Sequence, residues 1–427
     1  MAVGAHARNP YTVGGPVRGV HFHGRAALIQ TILDGNDRSI WVVGNRRIGK
    51  TSLLLRLEQL GSGDGRVAFM ISLEAADNVA DLAQCFLDDI ETSDDRLARL
   101  GLKIGDLQGK TPQAMMRLLD RRGREHGIEV LLLLDEAEAL IGIAERDGDD
   151  ILKDLRREMQ RSEALRVVMT ATKRLAELND LSRDWDTSPF LYGVTPRYLG
   201  RLERDDALAL VRQTQSPAPP SVPIGVAEAV LAATDGHPFL TQWLCDRLWL
   251  DGALRLPAAD DLIPDANLIN LFQLDYNYLA PVERRILRCL SFAESLDETG
   301  LMGQLGVTLA DMQLRYLIQS LVQLCYVRRV GARYSTGNLL LRSWLQFWAT
   351  DAPASPISDA LAVDQADEEQ QQIMALATTH KRRLRLLKEQ QALRGADTPP
   401  EIVIEIEDST KQIADLDAQL AVLRAHS

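Results

Sequence analysis

The fold is decided by residues 44–52, which read Gly44-Asn45-Arg46-Arg47-Ile48-Gly49-Lys50-Thr51-Ser52. An apolar run, Ile40-Trp41-Val42-Val43, precedes this stretch, and a leucine-rich run at 53–57 follows it. That order of buried strand, glycine loop and helix start is the context that a phosphate-binding loop requires. The sequence therefore predicts that all nine residues of 44–52 contact the phosphates of a bound nucleotide.

Each part of this stretch has a separate physical role in holding an anion. The two glycines allow backbone N–H groups to turn inward and surround the β- and γ-phosphates. The helix that begins near Gly49 adds the positive end of its dipole at the same place. Lys50 is expected to neutralise phosphate oxygens, and the hydroxyl of Thr51 is expected to hold Mg²⁺.

A second apolar run ends in paired carboxylates. Residues 127–134 lead directly into Asp135 and Glu136. At the end of a buried strand beside a phosphate loop, Asp135 is expected to bind the water shell of Mg²⁺ and Glu136 to activate the attacking water.

A third run, residues 165–170, ends in a polar and basic segment. A threonine at the tip of this strand could sense the γ-phosphate, and Thr170 and Thr172 are the two candidates. Thr172 is placed among the predicted catalytic residues. Lys173 or Arg174 could instead reach the nucleotide of a neighbouring subunit, as arginine fingers do.

The alternation of apolar runs and helical patterns predicts an α/β fold of the P-loop NTPase type, with a doubly wound parallel sheet. Helices are expected at 26–33, 79–96, 112–126 and 149–162. The predicted regions are an N-terminal arm (1–20), an ATPase core (21–200), a helical lid (201–265), a winged-helix domain (266–350), a linker (351–368) and an α-helical hairpin (369–427).

Five residues of the arm, core and lid are candidate contacts to the nucleotide outside the loop: Tyr11, Phe22, Arg25, His237 and Pro238. Aromatic and apolar surfaces suit a flat purine base. The arm residues could equally pin the arm to the core, and Arg25 could touch phosphate or only cap the sheet. His237 and Pro238 could report the nucleotide state to the lid, but proline is also structurally normal at the first position of a helix.

Charge argues against nucleic acid as the main partner. The 427-residue chain has a net charge of −12. Within 268–348, where three helices and a hairpin around Gly331 are predicted, eight basic and six acidic residues give a net charge of only +2. A DNA-reading head is normally far more basic, so contact with protein is favoured over contact with DNA.

Composition places the chain in the cytoplasm. No signal peptide and no apolar run of membrane-spanning length is found. The four cysteines have neither zinc-site nor disulfide spacing. The predicted tail hairpin has apolar seams on both helices, which could dock on another protein, on a second copy of the chain or on residues 1–350.

Four segments together resemble the bacterial STAND ATPases, which are signal-transduction switches related to AAA+ and origin-recognition ATPases: Gly24-Arg25, the loop 44–54, Leu133-Leu134-Asp135-Glu136 and Gly236-His237-Pro238. The resemblance covers about residues 9–350. The tail looks like helical appendages found beside such ATPases in bacterial defence loci. The resemblance implies that ADP holds a closed monomer, that ATP permits assembly, and that slow hydrolysis resets the switch.

Such proteins typically carry a fused effector and a sensor repeat array, and this sequence shows neither, so an effector in trans is implied. Two other functions remain open. One is a DNA-binding ATPase, such as an initiator or a transposition helper, that uses the winged region. The other is a scaffold in which the nucleotide is structural and is not turned over.

Overall fold

The computed structural model describes residues 8–351, apart from 64, 184, 186–187 and 307–308. By internal contacts the chain divides into two compact units, Met1–Ala349 and Thr350–Ser427. The predicted hairpin at 369–427 and nearly all of the predicted linker lie outside the described residues. The boundaries predicted at 200 and 265 fall inside the first unit and stay predictions.

The centre of the first unit is a five-stranded parallel sheet in the order β2-β3-β4-β1-β5. Apart from the edge strand β5, its strands are nearly continuous apolar runs, as expected for strands that are covered on both faces. Their bounds are β1 Ser39–Val43, β2 Arg66–Ser72, β3 Glu129–Asp135, β4 Leu165–Ala171 and β5 Thr195–Tyr198. In register, Val43 pairs with Ala171 and Leu134 with Met169, so β1, β3 and β4 end at one edge of the sheet.

Eight helices accompany this sheet: α1 Ala26–Asp34, α2 Lys50–Gly61, α3 Val79–Glu91, α4 Asp94–Arg99, α5 Pro112–His126, α6 Ala139–Asp147, α7 Asp150–Arg161 and α8 Glu177–Leu181. One face of the sheet packs on α1 and α2, and the other packs on α3, α5 and α7. The helix predicted over 79–96 is interrupted, because the chain leaves helical geometry around Thr92 and Ser93 before α4 begins.

A helical layer follows the sheet. It contains α9 Arg204–Arg212, α10 Val226–Thr234 and α11 Pro238–Leu248, with a short antiparallel ribbon of β6 Trp249–Leu250 and β7 Ala253–Leu254. These helices share a core that includes Val211, Val230 and Leu244. We call residues 201–265 the lid, as in the sequence prediction.

The remaining described elements are α12 Ala266–Asn277, α13 Pro281–Phe292, α14 Glu298–Leu305, α15 Asp311–Gln323, β8 Val327–Val330, β9 Arg333–Thr336 and α16 Leu339–Asp351. The strands β8 and β9 form the antiparallel hairpin predicted around Gly331. A separate core around Leu287, Leu290 and Leu321 unites these helices, and Val43 of β1 belongs to it. None of the helices in the described part of the chain is long and apolar enough to span a bilayer.

One close approach in the core gives a stability test. Gly123 lies within α5, and a Cβ atom there would stand 2.6 Å from the carbonyl oxygen of Ile128. Helical Gly→Ala changes ordinarily stabilise by up to about 1 kcal/mol. We expect Gly123→Ala to destabilise by about 1–3 kcal/mol instead, because backbone must shift to make room. Thermal unfolding measures the effect.

Gly142, in α6, is the matched control, because a Cβ atom there would meet nothing within 4 Å. Gly142→Ala should raise the melting temperature. An equal rise for Gly123→Ala would show that the contact between α5 and the start of β3 is looser than the structure has it.

Candidate functional site

The loop between β1 and α2 has the geometry of an anion cradle. The backbone at Gly49 has a φ of +101°, which favours glycine, and α2 begins at the next residue. Gly44 is required for a different reason, since a Cβ atom there would lie 2.7 Å from the Ile48 side chain. The loop therefore makes a tight turn that leads directly into a twelve-residue helix, and the N–H groups at such a helix start favour an anion.

Lys50 is a buried cation whose hydrogen-bond partners among the described residues are neutral. Its side chain is 8% exposed, and its Nζ donates to the carbonyl oxygens of Gly44 at 3.0 Å and Asn45 at 3.1 Å. A buried ammonium group is costly unless an anion compensates for the lost water. This arrangement fits a phosphate group beside the loop.

The carboxylates at the end of β3 point in different directions. Asp135 is 4% exposed and accepts a hydrogen bond from the hydroxyl of Thr170 on β4. Glu136 has a left-handed backbone, with a φ of 55°, and its exposed side chain lines the cavity beside the loop. Desolvation raises the pKa of Glu136, the nearby Glu138 carboxylate raises it further, and the Lys50 amine opposes both.

The two threonine candidates separate in the structure. Thr170 is fully buried and bonded to Asp135, so it orients that carboxylate. Thr172 lies one step past the strand and lines the cavity. Its N–H donates to Glu138, a residue that the sequence analysis did not single out although it stands two positions after Glu136.

Both basic residues after β4 have partners within the chain. Lys173 forms an ion pair with Glu283 of α13. Arg174 pairs with Glu177 at 3.0 Å and lies over the ring of Tyr278, 4.7 Å from its centroid. Both cations are thus engaged within the chain, and reach to the nucleotide of a neighbouring subunit stays a prediction.

The arm residues divide between the lid core and the cavity. Tyr11 is 6% exposed and does not line the cavity, because its ring packs edge-on against Trp249 and its hydroxyl donates to the Val211 carbonyl. Phe22 and Arg25 do line the cavity. Arg25 donates to the carbonyls of residues 200 and 201, and burial lowers its pKa to about 10.

The His237-Pro238 pair also divides. His237 is the N-cap of α11 and accepts a weak hydrogen bond from the Leu240 N–H at 3.4 Å. Desolvation, together with the nearby Arg25 charge, lowers its pKa to about 4. Pro238, at the first position of the helix, is the member of the pair that lines the cavity. His237 therefore has a structural role at the start of α11, and Pro238 contacts the cavity.

These parts surround a cavity of about 930 Å³, at the upper end of the range typical of small-molecule sites. Its wall is formed by the arm, the phosphate loop, Glu136 and Glu138, Thr172 and Arg174, the lid and α12. Lys50, at the start of α2, and Glu136, directly after β3, thus open onto one space. Asp135, the carboxylate predicted to converge with Lys50 on one magnesium-bound triphosphate, does not line this cavity, and that convergence stays a prediction.

The residues present also fit Mg²⁺. Thr51 and Glu136 line the cavity, and the adjacent Asp135, which is buried and does not line it, adds a second carboxylate of the kind that this ion prefers. Within the described residues no group of three His, Cys, Asp or Glu side chains forms a metal site by itself. A magnesium ion here would therefore need phosphate oxygens to complete its ligands, which is its usual mode of binding.

Known proteins support the same fold. A profile of the AAA domain matches residues 33–178, and no curated protein sequence matches the chain. The Walker-type ATPase of Pyrococcus abyssi is similar over 76% of this chain and 96% of its own, with 16% identity and a TM-score of 0.55. The chain has the P-loop NTPase fold. That likeness, at low identity, shows architecture alone.

Two further structures are similar at lower scores. The ORC2 protein of Aeropyrum pernix covers 78% of this chain and 98% of its own, with 13% identity and a TM-score of 0.44. The RuvB Holliday junction branch migration motor of Thermotoga maritima covers 74% and 92%, with 15% identity and a TM-score of 0.33. At these scores they add nothing to the argument about this site.

The C-terminal helices hold the phosphate loop directly, through contacts that the sequence analysis missed. Arg46 pairs with Asp275 of α12 at 3.1 Å, and its guanidinium lies 4.9 Å from the centroid of the Tyr278 ring. Asn45 donates to the Leu324 carbonyl at 2.6 Å. We call these contacts, together with that of Arg174 to Tyr278, the clamp.

Burial of the ionised Asp275 carboxylate in the clamp costs free energy. Its side chain is 11% exposed, and burial raises its pKa from 3.8 to about 6, although Arg46 opposes the rise. A raised carboxyl pKa means that the folded protein binds the proton more tightly. The corresponding stability is complete below pH 4 and is lost as the pH rises through about 6.

Asp275→Asn removes this titration. The melting temperature of the variant relative to wild type should rise between pH 4 and pH 6.5, by the equivalent of at most about 3 kcal/mol. Thermal unfolding across that window measures the difference. A difference independent of pH would mean that Asp275 is ionised equally in the folded and unfolded states.

Proposed function

We propose that this protein is an ATP-binding, slowly hydrolysing molecular switch of the STAND type, which assembles with nucleotide and regulates a separate effector protein. The observation that carries the proposal is the clamp. In an ATPase whose C-terminal region has no part in the response to nucleotide, direct contacts between that region and the phosphate loop are not expected. Here Asn45 and Arg46, two residues inside the loop itself, bind α12 and the end of α15.

The chemistry is assigned to residues that share the cavity. Lys50 and the loop N–H groups hold the triphosphate, and Glu136 accepts the proton of the attacking water. Thr172 faces the same space and is placed to sense the γ-phosphate. Mg²⁺, held by Thr51 and by Asp135 through its water shell, would neutralise charge on the phosphates. Asp135 is kept in position by Thr170.

The switch depends on two arginines that each contact both the cavity and the clamp. Arg46 and Arg174 both line the cavity and both lie against Tyr278. A ligand that draws either guanidinium toward its phosphates weakens the hold on α12. A nucleotide can shift a conformational equilibrium only through such differential contacts. ADP is therefore assigned to the clamped monomer, and ATP to the released state that assembles.

The surface of the C-terminal region favours a protein partner over DNA. Arg328 reaches Asp235 of the lid at 3.7 Å, Arg315 pairs with Glu298 at 2.9 Å, and Arg333 bonds Ser295 at 2.7 Å. Hydrogen bonds and ion pairs inside the chain thus already engage these cations. On α15, Met312 and Tyr316 are largely exposed, and such side chains are common at protein interfaces.

Hydrolysis gives the first test of this function. Wild type should turn over ATP below the ~1 s⁻¹ that marks the slow end of ordinary enzymes. Glu136→Gln should bind ATP normally and lower turnover by about 10²-fold or more, because the base is lost. Lys50→Ala should lose both binding and turnover. Phosphate release and calorimetric titration separate the two effects.

Lys110→Ala and Glu145→Gln are the matched controls, since both side chains are exposed and away from the cavity. They should behave as wild type. Equal turnover in wild type, Lys50→Ala and Glu136→Gln would remove the enzymatic part of the proposal.

Assembly gives the second test. Wild type should elute as a monomer with ADP and as a larger species with ATP in light-scattering chromatography. The double variant Asp275→Ala/Tyr278→Ala lacks both partners of Arg46, so it should form the larger species with ADP as well. Its control is Asp95→Ala/Tyr192→Ala, two exposed positions outside the clamp. Identical wild-type profiles with ADP and ATP would rule out the switch while leaving hydrolysis intact.

A further inference from the structure

His23 is a buried polar side chain whose hydrogen-bonding groups are unused. It is 5% exposed and lines the cavity. Neither Nδ1 nor Nε2 has a hydrogen-bond partner among the described residues. Buried polar atoms are nearly always paired, and leaving one unpaired costs free energy. Two such atoms on one ring in a cavity wall indicate a group that is completed by what enters the cavity.

The backbone holds this ring in place. Gly24 and Arg25 both have left-handed φ angles, of +74° and 68°, so the chain turns sharply after His23. A Cβ atom on Gly24 would lie 2.6 Å from a carboxylate oxygen of Asp206 on α9, so the turn packs closely against the lid. Arg25 adds its hydrogen bond to the Arg201 carbonyl at 3.0 Å. His23 is thus presented by a fixed turn between core and lid.

The surroundings of His23 differ from those of the phosphate loop. The cavity wall near the turn includes the apolar side chains of Phe22, Leu202 and Leu210. Desolvation and the nearby His21 lower the pKa of His23, and Asp206 opposes them only in part, so the ring is neutral at neutral pH. A neutral imidazole offers one N–H donor and one nitrogen acceptor. A purine base presents apolar faces and an edge of donors and acceptors, which matches this wall.

We propose that His23 hydrogen-bonds to the edge of the nucleotide base and makes binding depend on the base as well as on the phosphates. The proposal rests on the nucleotide-binding function proposed above and assigns it a specificity-determining residue. Lys50 and the loop would hold the phosphate end of the ligand, and His23 with Phe22 would hold the other end.

The experiment compares ATP with inorganic tripolyphosphate, which has the same three phosphates but lacks the nucleoside that carries the base, both with Mg²⁺. Calorimetric titration of the full chain gives their Kd values for wild type, His23→Phe and His23→Gln. His23→Phe should weaken ATP about tenfold, the equivalent of one net hydrogen bond, and should leave tripolyphosphate unchanged. His23→Gln keeps a donor and an acceptor and should recover most of the ATP affinity.

Unfolding without nucleotide supplies a readout that a structural role would move the other way. His23→Phe removes two unpaired buried nitrogens, so its melting temperature should equal or exceed that of wild type. A lower melting temperature with parallel losses for ATP and tripolyphosphate would show that His23 only supports the fold, and would overturn the inference.

Failure of the inference and failure of the proposed function are distinguishable. If ATP affinity is the same in wild type and His23→Phe, His23 does not read the base, while nucleotide binding stands. If wild type binds neither ATP nor tripolyphosphate, the nucleotide function itself is lost, and the inference is lost with it.

Discussion

The structure depends on a buried positive charge whose hydrogen bonds go to neutral carbonyl groups, with no carboxylate at ion-pair distance among the described residues. The Lys50 amine is fixed by the turn from β1 into α2 and is surrounded by carbonyl oxygens of the loop. The sheet order places β4 between β1 and β3, and Glu136, the residue directly after β3, opens onto the same cavity. Arm, lid and α12 complete the enclosure. The other elements therefore serve a cavity whose central requirement is an anion.

The clamp places a second demand on the same loop. Arg46 belongs to the phosphate loop, yet its charge is shared with Asp275 and with the ring of Tyr278. Burial raises the pKa of Asp275 to about 6, so desolvation offsets part of what the ion pair contributes. Ion pairs of this kind contribute little net stability, although breaking one partner is costly. A contact that is specific but nearly balanced is suited to an element that must be released.

The sequence predicted the parts whose chemistry is local. Glycine spacing identified residues 44–52, and apolar runs ending in polar residues located β1, β3 and β4. The sequence left the role of Tyr11 open and missed the clamp, because their partners are distant in the chain: Arg46 and Asp275 are 229 positions apart. The sequence placed Thr172 among the catalytic residues but could not assign a role to Thr170, since only the structure shows that Thr170 meets Asp135. His23 was passed over because an unpaired buried nitrogen is visible only when every neighbour is placed.

The two ends of the cavity must carry different information. ATP and ADP have the same base, so a base contact at His23 can set whether a nucleotide binds but cannot tell which one is bound. Discrimination between ATP and ADP must come from groups near the γ-phosphate. In the proposed switch Arg174 is such a group, because it lines the cavity and contacts the Tyr278 ring of the clamp. Arg46 shares that property from inside the loop. In the proposed switch, the arm and lid select the ligand, and the contact between these two arginines and α12 converts the number of phosphates into a conformational state.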